Sequence, residues 1–438
     1  MTNIKTSFFC VLIFILLTST AAFAQNTNKD KVASDAKAVN IPEGYSKNLH
    51  WNLLLDSIGS NGSTINWKSS KPEYISNDGK LLKRSPRKAK KIKVTMTATV
   101  TAGTAKTKKA FDILVAYPDQ ELQGYLFTYF EGSGPRTSDE QIRFGASVDA
   151  VNWFALNNNQ PIIDSEKISG TGGIRDPHIL RGEDEKSFYM VATDMNTAKN
   201  GWAHNPGIVM LQSDNLIDWK HSFIDLEKNY PVKFANIQWV WAPQTIYDPA
   251  ADKYLVYFTV KYKDDLKLDF YCAYANKDFS GFESEPKLMF SPKYGAIDGD
   301  IIYKDGTYHF FFKGNTKDEN GKETKNGIRQ AIGKTLQGSW TENFNYLDAY
   351  SDKKIVVEGS SIFKLNQSDS YVLMYDLYTN HRYEFQRTKD LYQFTPTPES
   401  FTKNFYPRHG SVIGITVEEA KRLNEKWGGV PENLLKTK

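Results

Sequence analysis

From Gly124 onward the chain repeats itself. A strand-like run followed by a short segment ending in an aromatic recurs as Phe144-Gly-Ala-Ser-Val-Asp before Trp153 and as Met210-Leu-Gln-Ser-Asp-Asn-Leu before Trp219. It returns as Cys272-Ala-Tyr-Ala-Asn-Lys-Asp-Phe279, as Gln330-Ala-Ile-Gly-Lys-Thr before Trp340 and as Glu384-Phe-Gln-Arg-Thr-Lys-Asp-Leu before Phe394. These five copies are spaced by about 55–65 residues, a length that holds several short strands and marks a propeller blade. A second set of positions keeps nearly the same step: Asp176, Trp241, Asp298, Glu358 and His409. The last copy, His409-Gly-Ser-Val-Ile-Gly-Ile-Thr416, holds only a first strand, and the first copy, from Tyr125-Leu-Phe-Thr-Tyr-Phe130, lacks one. The C-terminal strand is therefore expected to complete the N-terminal blade, which leaves no open edge. The fold class that follows is all-β, a five-bladed β-propeller over residues 120–438, with a short helix over 417–435 outside the ring.

Residues 41–118 have a different pattern. Thr64-Ile-Asn-Trp-Lys, Lys93-Val-Thr-Met-Thr-Ala-Thr-Val100 and Ala110-Phe-Asp-Ile-Leu-Val115 alternate as half-buried strands, with turns at Asn77-Asp-Gly-Lys80 and Ala102-Gly-Thr104. A small antiparallel β-sandwich is expected here. Between Lys80 and Lys109 it carries basic residues and no acid. Such a surface suits an acidic polysaccharide, or serves as edge-strand lysines that block aggregation. Residues 25–40, polar and rich in Ala, Lys and Asn, are expected to be a flexible leader. Residues 1–24 have the pattern of a secretory signal: Lys5, an apolar run from Phe8 to Leu17, and Ala22-Phe-Ala24 before Gln25. A secreted or periplasmic product follows, with no membrane insertion after cleavage. Only Cys272 then remains, so no intramolecular disulfide forms. The formal charge of +4 is small for 438 residues and argues against a nucleic-acid partner.

Three of the repeated positions are acidic. Asp176 lies in Ile-Arg-Asp-Pro-His, Asp298 in Ala-Ile-Asp-Gly-Asp and Glu358 in Val-Val-Glu-Gly-Ser. In a radial array the inner strands line a central channel, so these carboxyl groups converge. Like charges held close cannot all ionise freely, and at least one pKa is pushed up. A protonated acid and an ionised base, with room for a water between them, are what inverting cleavage of an acetal requires. Each acid also has a plainer reading. Asp before Pro is a common turn former, Asp298-Gly-Asp300 is a turn or a cation ligand, and Glu358 before Gly is a loop acid.

The combination resembles glycoside hydrolase family 43, five-bladed propellers acting on arabinans, xylans and related plant polysaccharides, over roughly residues 120–416. The resemblance implies Asp176 as general base, Asp298 as the residue that tunes the acid's pKa, and Glu358 as general acid. It also implies an inverted product. Trp241-Ala-Pro-Gln244 looks like the family's Trp-Ala-Pro segment, whose Trp lies near the sugar. Where the family has Pro after the second Asp and Gly-Pro after the Glu, this chain has Gly299-Asp300 and Gly-Ser-Ser, so Asp300 competes with Asp298. In related propellers a histidine at the axis binds calcium or sodium, directly or through water; His409 holds that place, its plainer reading being a hydrogen-bonded floor of the channel. The segment over 41–118 resembles the degenerate bacterial immunoglobulin-like domain placed before secreted glycosidases, through Ser63-Thr-Ile-Asn-Trp-Lys-Ser-Ser, Ile75-Ser-Asn-Asp-Gly and Val94-Thr-Met-Thr-Ala-Thr-Val.

Arg382 and Arg408 are candidates for binding sugar hydroxyls or holding a carboxylate ionised. His178, two residues after Asp176, lines the sugar pocket or belongs to the core. Glu131 is a further candidate for substrate. No cofactor is required by this chemistry. The expected substrate is a polysaccharide or oligosaccharide, and the expected activity an exo-acting α-L-arabinofuranosidase. β-Xylosidase and galactosidase specificities fit the same scaffold, and a non-catalytic sugar-binding propeller is the alternative from another class. Fructan-active propellers fit less well, because Arg175-Asp-Pro stands where they carry Asn-Asp-Pro and no Glu-Cys pair accompanies it.

Overall fold

Runs such as Phe188-Tyr-Met-Val-Ala-Thr and Tyr371-Val-Leu-Met-Tyr-Asp-Leu are apolar almost throughout, which marks strands covered on both faces. In the computed structural model they are the second strands of blades. The structure describes residues 27–86, 89–117, 121–132, 136–264, 267–315, 322, 327–347, 355–397 and 402–436. The signal-like segment 1–24 lies outside them.

The chain forms two compact units. In the first, β1 (Thr64–Ser69), β2 (Lys93–Ala102) and β3 (Ala105–Leu114) make one antiparallel sheet in the order β1-β2-β3. Strand β2 alternates strictly, with Val94, Met96, Ala98 and Val100 buried. The opposing layer is reduced to isolated bridges at Leu49 with Val115, Ile58 with Thr64 and Ile75 with Leu81. The expected flexible leader is corrected: residues 27–38 are helical, with Val32 and Asp35 buried. Asp35 accepts from the amides of Asn61 (2.8 Å) and Ser63 (3.0 Å), which ties the helix to a distant turn.

The second unit has five sheets among the described residues. The first blade contains β4 (Gly124–Tyr129), β5 (Arg143–Ser147) and β6 (Asn152–Ala155). The second is β7 (Ile174–Arg181), β8 (Phe188–Asp194), β9 (Gly207–Ser213) and β10 (Lys220–Asp225). The third is β11 (Ile237–Asp248), β12 (Lys253–Tyr262), β13 (Asp269–Tyr274) and β14 (Lys287–Phe290). The fourth is β15 (Ala296–Lys304), β16 (Thr307–Gly314), β17 (Gly327–Gly333) and β18 (Trp340–Asn343). The fifth is β19 (Glu358–Lys364), β20 (Tyr371–Leu377), β21 (Arg382–Thr388) and β22 (Thr395–Pro396). Two late strands, β23 (Thr402–Lys403) and β24 (Gly410–Ile415), return to the first blade, whose order is β23-β6-β5-β4-β24. Strand β24 pairs antiparallel with β4 from Gly410 opposite Tyr129 to Ile415 opposite Gly124, the closure expected from the sequence.

The inner strands β7, β11, β15, β19 and β24 each neighbour the next around a ring. Five hydrophobic clusters fill the spaces between successive blades, for example Val191, Ile208, Val256 and Phe258 between the second and third. The C-terminal segment is two helices, Val417–Trp427 and Glu432–Leu435, rather than one. Gly428 and Gly429, at φ 68° and 89°, break it. Thr416 and Glu419 form a capping box, and Ala420 and Leu423 bury against the first two blades.

A polar layer ties the inner strands together below the channel mouth. Ser411 Oγ accepts from the amide of Ile179 (2.8 Å), His178 Nδ1 from Thr245 (3.3 Å) and Asp300 Oδ2 from Ile362 (2.8 Å). Gln244 acts through Tyr257, whose hydroxyl donates to Gln244 Oε1 (3.1 Å) and accepts from the Ile301 amide (3.0 Å). These bonds satisfy buried backbone donors from one blade with side chains of the preceding one.

Candidate active site

Four of the five inner strands break register at one place. The shifts fall between Arg175 and His178, Trp241 and Gln244, Ile297 and Asp300, and Glu358 and Ser361. Each bulge contains one residue in the left-handed region: Asp176 (φ 51°), Ala242 (φ 44°), Asp298 (φ 56°) and Gly359 (φ 65°). Such bulges re-aim side chains. Asp176 and Asp298 occupy the left-handed position itself, so they are third residues of their strands rather than strand openers. Glu358 and Trp241 sit one position earlier. The three acids thus match to within one residue, not position for position.

His409, just before β24, brings the aspartates together. Its Nδ1 lies 3.4 Å from Asp176 Oδ1 and 3.8 Å from Asp298 Oδ1. These are ion-pair contacts rather than aligned hydrogen bonds, and among the described residues Nδ1 has no hydrogen-bonding partner. Burial opposes protonation of this imidazole, but Asp298 and Asp176 overcome it and raise its pKa to about 9. At neutral pH it is a cation between two carboxylates. Among the described residues no group of three or more His, Cys, Asp or Glu is arranged to hold a metal.

Asp176 Oδ2 accepts from the Thr193 hydroxyl (2.9 Å), and Thr193 Oγ1 accepts from the Ala242 amide (2.8 Å). Burial pushes the Asp176 carboxyl up, but His409, Arg175 and Thr193 together outweigh it and hold it below the usual carboxylate range. Asp298 Oδ2 accepts from the Gly359 amide (2.9 Å), next to Glu358. Burial raises the Asp298 pKa, Glu358 and Asp176 raise it further, and His409 opposes them without cancelling the rise. The expected upward shift therefore falls on Asp298.

Glu358 is gripped by two cations. Arg408 Nη2 donates to its Oε1 (2.6 Å) and Lys313 Nζ to its Oε2 (3.0 Å). Burial raises this carboxyl, but Lys313 and Arg408 more than offset it, and the pKa lies below the ordinary glutamate value. Arg408 also donates from Nε to Asp376 Oδ2 (2.5 Å). Asp376, opposite Glu358 in the β19–β20 ladder, is buried and pushed up to about 7, chiefly by that burial and against the pull of Arg408.

Arg408 therefore reaches the site, through a carboxylate, and Trp241 stands next to Ala242, whose amide bonds Thr193. Trp241 Nε1 donates to Asn205 Oδ1 (3.1 Å), and its ring stacks on Trp239 with centroids 4.3 Å apart. Three other sequence-derived candidates make no contact with these carboxylates among the described residues. His178 belongs to the polar layer, its Nε2 3.6 Å from Asp300 Oδ1. Arg382 is exposed at the start of β21. Glu131 accepts from Asn159 Nδ2 (2.6 Å) and pairs with Arg143 (3.5 Å), tying the loop after β4. Asp300 is excluded as a rival to Asp298, because it bonds Ile362. Sequence reasoning missed Thr193, Lys313 and Asp376. The one signal available was a charged residue in or ending a run that is otherwise apolar, as in Tyr308-His-Phe-Phe-Phe-Lys and Tyr371-Val-Leu-Met-Tyr-Asp.

Comparison with known proteins agrees with this architecture. Residues 120–421 match the model of a glycosyl hydrolase family 43-related family, described as "Probable glycosyl hydrolase domain", and residues 32–117 match that of the atrophied bacterial Ig domain. The chain is 25% identical over 315 residues to an α-L-arabinofuranosidase of Bifidobacterium longum subsp. longum. That match covers 62% of this chain and only 28% of the relative. Similar solved structures include an α-L-arabinofuranosidase from Clostridium thermocellum, with 12% identity and a TM-score of 0.45, covering 70% of this chain and 91% of that one. An endo-arabinase from Bacteroides thetaiotaomicron has 16% identity and a TM-score of 0.41, covering 63% and 92%.

Proposed function

The chain belongs to the glycosyl hydrolase family 43-related family, and from that premise we propose that it is an exported, inverting glycoside hydrolase that removes α-L-arabinofuranosyl units from plant polysaccharide side chains. The observation that carries the reading is the convergence of carboxylates from three blades, two on His409 Nδ1 and the third one residue from the amide that binds Asp298. The arabinofuranosyl preference is supported by the B. longum relative. Export is supported by the pattern of residues 1–24, and N-terminal sequencing of the mature protein tests it, with Gln25 expected first.

In the proposed reaction Asp176, ionised and oriented by Thr193, takes a proton from a water whose oxygen bonds to the anomeric carbon. Glu358 gives its proton to the glycosidic oxygen as the carbon–oxygen bond breaks, so the configuration inverts. Asp176 then releases its proton to solvent, and Glu358 takes one up. The depressed pKa of Glu358 means that few free molecules carry the catalytic proton at neutral pH. Asp298, Asp376, Asp176 and Glu358 lie among the cations His409, Lys313 and Arg408, and the raised pKa values of Asp298 and Asp376 let the cluster carry a proton that Glu358 draws on. Asp298 tunes how much of that proton resides on Glu358.

A panel of chromogenic arabinofuranoside, xyloside and galactoside substrates, with NMR following the first anomer released, tests the proposal. Release of the inverted sugar from the arabinofuranoside is expected. Faster release from the xyloside or galactoside would reassign the sugar. Oligosaccharide binding without turnover of any substrate would leave a sugar-binding propeller.

A further inference from the structure

We propose that Trp202 is the platform on which the saccharide beyond the scissile bond stacks, which gives the site a subsite for the polymer as well as a pocket for the released sugar. The inference rests on the glycosidase reading above. Trp202 follows the short helix Thr197–Asn200 and is 56% exposed. What distinguishes it is its place, with its ring against Arg175, the neighbour of Asp176, and against Trp241.

Its support is rigid and close to the chemistry. The Arg175 guanidinium lies between two rings, 4.8 Å from the centroid of Phe130 and 5.0 Å from that of Trp202. Arg175 immediately precedes Asp176 and donates to buried Glu140 (2.9 Å). Glu140 in turn accepts from the Thr197 amide (2.6 Å) and hydroxyl (2.7 Å), which fixes the segment that carries Trp202. On its other side Trp202 meets Trp241 edge-on, with centroids 6.2 Å apart and planes at 75°. Trp241 is itself backed by Trp239, over which Lys261 lies 4.6 Å from the centroid. Trp241 therefore has one face spent on Trp239, whereas Trp202 has one face on Arg175 and much of its surface free. An aromatic held this way loses little conformational entropy when a ligand stacks on it, and its electron-rich face suits the C–H side of a sugar ring.

The test compares Trp202→Ala and Trp202→Phe with the native protein on short linear arabino-oligosaccharides and on an aryl arabinofuranoside. For Trp202→Ala the ratio of kcat/KM on the trisaccharide to that on the aryl glycoside is expected to fall about tenfold, equivalent to about 1.4 kcal/mol, with the loss mainly in KM. Trp202→Phe is expected to keep most of the ratio. Calorimetry with arabinotriose on Asp176→Asn, with and without Trp202→Ala, is expected to show the same weakening without turnover. An unchanged ratio, or equal losses on both substrates, would overturn the subsite and leave the hydrolase reading standing. Failure of the native protein on both substrates would instead refute the arabinofuranosidase reading on which the subsite rests.

Discussion

Replacing Lys313 by Met should move the alkaline side of the pH–activity profile upward. Lys313 Nζ lies 3.0 Å from Glu358 Oε2, and both side chains are largely buried, 13% and 20% exposed. Two unit charges at that spacing attract by about 5.5 kcal/mol at an effective dielectric constant of ~20. Arg408 remains on the other oxygen, and water and neighbouring dipoles reorganise into the lost contact, so most of that figure is recovered. A close opposite charge lowers a carboxyl by about 1–3 units. The expected rise in the Glu358 pKa on losing one of two cations is about 1–2 units, or about 1.4–2.7 kcal/mol. Met keeps the apolar stem, whose cation sits 5.3 Å from the centroid of Tyr378.

The alkaline limb of kcat/KM reports loss of the essential proton from the free enzyme. It is expected to shift to higher pH by the same 1–2 units on an alkyl arabinofuranoside, whose leaving group needs that proton. An aryl substrate with a good leaving group should show a weaker limb in both proteins. The profile is the readout rather than the absolute rate, because replacing Lys313 also alters the packing around Glu358 and Tyr378. A limb that stays within about 0.3 unit, or moves down, would refute the claim that Glu358 is the proton donor held ionised by Lys313.

Glu358→Gln should lose roughly 10²–10⁴ in kcat on unactivated glycosides with an unchanged circular dichroism spectrum, and near-normal turnover would remove Glu358 as the acid. Asp176→Asn should lose a similar factor even on substrates with good leaving groups, because the water still needs its base; native rates would place the base elsewhere. Stability should also depend on pH through His409. Its folded pKa of about 9 stands above the ordinary 6.5, so its contribution is fully present below about pH 6.5 and is lost as pH rises through 9. That contribution is on the order of 3 kcal/mol, and the fall in thermal midpoint between pH 7 and 9.5 should be flatter in His409→Gln; parallel curves would contradict it.

The blades and their closure were legible because each repeat carries its own strand pattern and because the orphan strand at His409–Thr416 has one place to go. The three acids were legible because they recur at a common step. Lys313 and Asp376 were not. Both lie on second strands, β16 and β20, and reach the axis only because the bulged inner strands in front of them leave room. No local pattern records that proximity. The helix over 27–38 was hidden for a related reason. Its composition is polar, and what orders it is long-range, through Asp35 to the turn at Asn61 and Ser63 and through Val32 in the sheet core. The two clamps on Glu358 were half legible: holding a carboxylate ionised was one of two readings of Arg408, and nothing marked which carboxylate.

The repeated bulge explains both the catalytic layer and the ambiguity of the motifs that encode it. In each of the four bulged strands two residues stand opposite the mouth of the channel, Arg175–Asp176, Trp241–Ala242, Ile297–Asp298 and Glu358–Gly359, and the residue two places after the left-handed one turns downward. That lower residue is His178, Gln244, Asp300 or Ser361, all buried. The first three meet a backbone amide of the following blade, His178 and Asp300 directly and Gln244 through Tyr257. A polar residue at the lower position is thus held by folding, whereas the acids of the upper positions gather around His409 and the Gly359 amide. Asp298 and Asp300 are the same residue type two apart in one strand, and in a regular strand they would share a face. Only the left-handed turn at Asp298 separates them. Its cost, about 1 kcal/mol for a non-glycine residue, is met at Asp176 and Ala242 as well, although glycine would be easier there. At Asp176 and Asp298 a glycine would remove the carboxylate, so the strain persists where the side chain is needed. At Gly359, where the acid sits one residue earlier, the strand uses glycine, and a Cβ there would lie 2.9 Å from the His409 side chain.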